Sequence, residues 1–116
     1  MLAALAFPCI SRQEAMAEKL RAALTRREPA IRDYYDLDHA VRHWAFRSEA
    51  DDFIDLVRRK LAVPGNAAVD VSGARLAALR TQIDAQLKPV LRARDFADFD
   101  LERAFAIARA VARRTA

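Results

Sequence analysis

The sequence has almost none of what a β-rich or disulfide-built domain needs. It holds 2 glycines and 4 prolines in 116 residues, too few turn formers for a sandwich or barrel. The single cysteine, Cys9, excludes an intramolecular disulfide framework and a multi-cysteine zinc site. No run of about 18 apolar residues occurs, so nothing reads as a membrane span. Aromatic residues are 8%. No GxxxxGK[ST], GxGxxG or GxSxG motif is present.

What is abundant is alanine, with 26 residues, and arginine, with 17. Both are strong helix formers, as is leucine. The composition therefore predicts a mainly α fold in one helical domain spanning 1–116, since domains commonly run about 100–150 residues. The charge is mildly basic, with 20 Lys+Arg against 16 Asp+Glu. That allows a nucleic-acid partner without requiring one.

The periodicity predicts about five helices, near 12–26, 34–45, 49–62, 73–90 and 99–114. The opening run MLAALAFPCI is apolar but short and lacks a basic flank, which reads against a signal peptide and makes the cytoplasm the expected location. Pro8 biases Phe7 toward an extended backbone, so a short N-terminal strand is allowed there. Ser11-Arg12-Gln13-Glu14 is a capping box, followed by an apolar face of Met16, Leu20, Ala23 and Leu24. Asp33 or a neighbour opens the second helix, with Leu37, Ala40, Val41 and Trp44 inward. Ser48 is the expected cap of the third, and Pro64-Gly65-Asn66 the clearest turn. Ser72 caps a fourth helix that Pro89 disturbs near its end. Asp98 or Asp100 starts the last.

Three charges sit on the rims of these faces: Lys19, Asp33 and Asp36. If the first two helices pack face to face, they meet across the seam. A lysine offers a point charge to phosphate, and carboxylates hold Mg²⁺ or orient the lysine. The plainer reading has Lys19 lying along the apolar face, Asp33 capping a helix and Asp36 in an exposed ion pair with Arg32 or a later arginine. His39 and His43 share a helix face at i, i+4 but lack the HExxH context of a zinc site. Cys9 has no activating base nearby in sequence.

The run ISRQEAMAEKLRAALTRREPAIRDYYDLDHAVR, from Ile10 to Arg42, resembles the AbiEii/AbiGii toxin family of nucleotidyltransferases. The family's pattern is E-x-x-A-x-K-L-x-A-L-x-x-R followed by R-D-x-Y-D-L. Glu14, Ala17, Lys19, Leu20, Ala22, Leu24 and Arg27 stand at or close to the first part, and Arg32, Asp33, Tyr35, Asp36 and Leu37 at the second. The resemblance spans about 7–110 and is most specific within 14–37. It implies the helical C-terminal part of a polymerase-β-type nucleotidyltransferase. By that resemblance Lys19 and Arg32 belong to nucleotide binding, and Asp36 or Asp33 is the catalytic carboxylate. It also implies Mg²⁺ and a nucleoside triphosphate as cofactor and substrate, with tRNA as an acceptor in some members and an antitoxin protein as a partner.

The chain departs from the family in one respect. The N-terminal glycine-serine and DxD motif, which supplies the metal carboxylates, has no counterpart here, because both glycines, Gly65 and Gly73, fall in the wrong half. The expectation is a C-terminal portion with no metal residues of its own, inactive alone because two-metal transfer needs those carboxylates beside the nucleotide. Two other readings stay open. One is a helical module binding a protein, either an antitoxin or a second copy. The other is an RNA-binding surface built on Arg26, Arg27, Arg58, Arg59 and Lys60.

Overall fold

The structure, a computed structural model, describes residues 11–116. The proposed N-terminal strand and Cys9 lie outside them. Six α-helices and one π-helical turn follow in order among the described residues, with no strand. They are α1 (Arg12–Thr25), α2 (Ile31–His43), α3 (Asp51–Leu61), α4 (Gly73–Arg80), the π turn (Ile83–Leu87), α5 (Ala93–Asp98) and α6 (Leu101–Thr115). The fold is mainly α.

Helix α1 starts where the capping box places it. The Ser11 side chain accepts from the Glu14 amide at 3.0 Å, while the Glu14 carboxylate pairs with Lys60 of α3 at 2.8 Å. Met16, Ala17, Leu20, Ala23 and Leu24 of α1 are buried. They pack with Ile31, Tyr34, Leu37 and Ala40 of α2, Phe53, Ile54 and Val57 of α3, and Leu101, Ala104, Phe105, Ala108 and Val111 of α6. Helix α1 packs on α2 and α3, and α6 closes against both α2 and α3. Ser72 and Asp100 cap α4 and α6. Gly65 takes φ +101° in the expected turn, a backbone region where a Cβ is strained. Beside it, the Asn66 side chain donates to the Lys60 and Leu61 carbonyls at the end of α3.

Several boundaries differ from the sequence expectation. Helix α2 begins at Ile31, and Asp33 is not its cap. The cap comes from far away in the chain. The Gln82 carboxamide accepts from the Ile31 amide at 2.9 Å and donates to the Pro29 carbonyl at 2.7 Å. A tertiary cap of this kind has no local signature. Helix α3 begins at Asp51, behind Ala50 and not Ser48.

Trp44, expected in the core, is 44% exposed. Helix α2 ends at His43, and Ala45 at φ 53° turns the chain away, so Trp44 never completes the turn that would carry it inward. Its ring lies under the Arg12 guanidinium, 4.6 Å from the ring centre. The run expected as one helix over 73–90 is broken. Helix α4 stops at Arg80, and the chain widens into the π turn, closed by a Lys88 amide to Ile83 carbonyl bond of 3.3 Å. Pro89 has no amide to continue the ladder, and Val90 is left exposed. The short helix α5 that follows falls outside the expected segments.

Candidate functional site

The seam between α1 and α2 carries a compact group of five charged side chains. Lys19 sits one residue before the buried Leu20, which sets its stem along the rim of the apolar face. Its ammonium stands 2.8 Å from Asp36 Oδ2 and 3.6 Å from Asp33 Oδ1. Asp33 and Asp36 are three residues apart in α2 and project from one side of it. Arg32 lies 3.4 Å from Asp36 Oδ1, and Arg26, just beyond α1, lies 3.8 Å from Asp33 Oδ2. Thus Lys19, Asp33, Asp36 and Arg32 come together across the seam. Arg26, singled out in the sequence only as part of a basic set, joins them.

The two aspartates differ in surroundings. Asp36 is partly open to solvent, whereas the Asp33 side chain is only 7% exposed. Among the described residues, Asp33 Oδ2 is a buried side-chain oxygen that accepts no hydrogen bond. Burial pushes the Asp33 carboxyl above its ordinary value, against the pull of Arg26 and Lys19. The hydrogen bond to Asp36 holds the Lys19 ammonium above its ordinary value, so Lys19 is charged at neutral pH. Lys19, Arg26 and Asp33 line a groove of about 470 Å³ that continues over Glu14, Glu18 and Lys60.

The raised Asp33 value has a consequence for stability. A carboxyl bound more tightly to its proton in the folded state costs stability once ionised. The cost is absent below the unfolded value and grows as pH rises through the folded one. Asp33→Asn is therefore expected to stabilise the fold at pH 7, with the gain shrinking toward pH 4. Urea midpoints at both pH values check this. An equal gain at each would show that ionisation of Asp33 is not the cause.

The end of α1 is held by groups that the sequence reading missed. The Ala23 carbonyl accepts from Tyr34 Oη at 2.8 Å and from Arg75 Nη2 and Nε at 2.7 and 3.1 Å. The Asp70 amide donates to the Leu24 carbonyl at 2.8 Å. Arg75 is buried, near the C-terminal end of α1, where a cation suits the helix dipole. These bonds set the height of α1 against α2, and with it the distance from Lys19 to the aspartates. On α2, buried Asp38 takes a two-pronged bond from Arg103 of α6 at 2.7 and 2.9 Å. A signal for both was present: Arg75 is four residues before buried Leu79, and Asp38 four after buried Tyr34, each a charge on an apolar stripe.

The remaining candidates lie elsewhere. The His39 and His43 rings lie tilted at 41° to each other, with centres 4.6 Å apart. Among the described residues, no group of three or more His, Cys, Asp or Glu is placed to hold a metal ion. Of the basic set, Arg58 pairs with Asp55, and Lys60 with Glu14 and Glu18. Among the described residues, no helix is long and apolar enough to cross a membrane.

No curated protein and no solved structure matches the chain. The family model of the nucleotidyl transferase AbiEii toxin, of type IV toxin–antitoxin systems, matches residues 2–110. The chain belongs to that family.

Proposed function

We propose that this chain supplies the phosphate-holding side of a nucleotidyl-transfer site, with Lys19 as the group that meets the triphosphate. The observation that carries this is the Lys19 ammonium, held at the lip of a groove by Asp36 and Asp33 and flanked by Arg26 and Arg32. Three cations stand against two carboxylates, so the seam attracts an anion. Asp36 keeps Lys19 charged and oriented until phosphate oxygens compete for it. Arg32 is positioned to share that load, and Asp36 and Asp33 orient the lysine.

The divalent ion implied by the family does not fit between these aspartates. The Lys19 ammonium occupies the space between them, within 2.8 and 3.6 Å of their oxygens. A second cation there would meet direct repulsion. The reading therefore assigns no metal to this chain's own residues and takes no step through one. It follows that the chain alone does not transfer nucleotides, to tRNA or to another acceptor. Metal-dependent incorporation of labelled nucleotide into tRNA by the purified 116-residue chain is the result that overturns this. An antitoxin protein is the partner we propose from family membership, and the cytoplasm the location.

Titration with inorganic tripolyphosphate, followed by amide chemical shifts, tests the phosphate reading. Shifts are expected at Lys19, Arg26 and Arg32. Lys19→Ala should weaken binding about tenfold or more, the loss of one charge-assisted contact. The same change should cost about 1 kcal/mol of stability or less, because the ammonium faces solvent. A loss above about 2 kcal/mol, with binding unchanged, makes Lys19 a structural residue instead.

A further inference from the structure

We infer that Asp33 Oδ2 is the acceptor for a sugar hydroxyl of the bound nucleotide, with Arg26 as the neighbour that yields to it. This rests on the phosphate reading of Lys19 and goes beyond it by naming what the second half of the site recognises.

Buried polar atoms in folded proteins are nearly always hydrogen-bonded, and an exception calls for an explanation. Asp33 Oδ2 is such an exception among the described residues. Arg26 Nη1 stands 3.8 Å from it, too far for a hydrogen bond. The Arg26 side chain is 51% exposed and lines the same groove as Asp33. It can leave toward an incoming phosphate without disturbing the core. The oxygen then faces the groove with an acceptor site open.

The chemistry of the missing donor is narrow. A phosphate oxygen is excluded, since two anions repel. A further cation is disfavoured beside Lys19 and Arg26. What remains is a neutral O–H or N–H group. Lys19 lies 3.6 Å from the other oxygen of the same carboxylate. The donor must therefore sit within a few ångströms of a phosphate held by Lys19. In a nucleoside triphosphate the sugar hydroxyls meet that condition, while the base lies farther out. A carboxylate accepting from ribose hydroxyls is an established mode of nucleotide recognition.

The test compares three probes on the whole chain: ATP, 2′,3′-dideoxy-ATP and inorganic tripolyphosphate. ATP should bind at least about tenfold more tightly than the dideoxy analogue, the worth of one hydrogen bond to a charged acceptor. The carboxyl carbon resonance of Asp33 should move with ATP and much less with tripolyphosphate. Asp33→Ala should bring the two nucleotides to equal affinity. Equal binding of ATP and its dideoxy analogue to the unaltered chain overturns this inference alone, even if the variant fails to fold. Failure of tripolyphosphate and both nucleotides to bind overturns the phosphate reading and this inference together.

Discussion

Arg103→Ala is expected to lower the unfolding free energy by about 3 kcal/mol, the low end of the cost of stranding a buried charge. The Asp38 carboxylate is only 4% exposed, and Arg103 supplies both of its hydrogen bonds among the described residues. Without the guanidinium the carboxylate keeps its burial and loses its partner. The low end applies because Arg103 is itself partly open to water. The change also removes a 2.7 Å bond to the Asp98 carbonyl, which ties the end of α5 to α6. Urea denaturation measures the loss. Asp38→Ala together with Arg103→Ala should cost less than Arg103→Ala alone, because it removes the stranded charge. If the double variant loses as much or more, the cost lies in the packing of the arginine stem.

Phe105→Ala should be more damaging, with a loss of about 4 kcal/mol. Phe105 is buried in α6, with its ring stacked on Tyr34 at 5.8 Å and the Arg109 guanidinium 4.8 Å above it. Truncation removes a large apolar side chain and leaves a cavity that helices on two sides cannot close. Phe105→Leu keeps most of the volume and should cost about 1 kcal/mol. Tyr34 is the residue after Asp33, and its hydroxyl holds the end of α1. A cavity behind Tyr34 should therefore loosen the Lys19 seam as well as the core. Tripolyphosphate binding of Phe105→Leu under folding conditions reports that coupling, and affinity equal to the unaltered chain's would show that the seam does not depend on this ring.

The site and the core thus share a support. Ala23 is the last apolar residue but one of the α1 face, and its carbonyl is held by Tyr34 and Arg75. Asp33 precedes Tyr34, and Lys19 lies one turn before Ala23. Burial of Tyr34 in the core fixes the aspartate beside it. The destabilised Asp33 carboxyl is what the proposed binding role costs a small fold.

Much of this was legible in the amino acids themselves. Scarce glycine and abundant alanine, leucine and arginine determined a mainly α fold, because propensity adds over long segments. Period-3.6 spacing determined the inner face of α1, and Ser11 and Ser72 marked helix starts by local chemistry, with Asp100 one of two candidates for the last. The rim positions of Lys19, Asp33 and Asp36 followed from the same spacing, and the run from Glu14 to Leu37 carried the family. Tertiary structure alone decided the rest. Gln82 caps a helix about 50 residues earlier, Arg75 seals the end of α1, and Arg103 neutralises Asp38. These bonds join residues 51 to 65 apart in sequence. Trp44 turned outward because α2 stopped at His43, one step short of the core. The loneliness of Asp33 Oδ2 was likewise invisible in sequence. Local sequence encodes what a residue does to its own helix, but whether a buried charge finds a partner depends on which distant side chain the packing brings within about 3 Å.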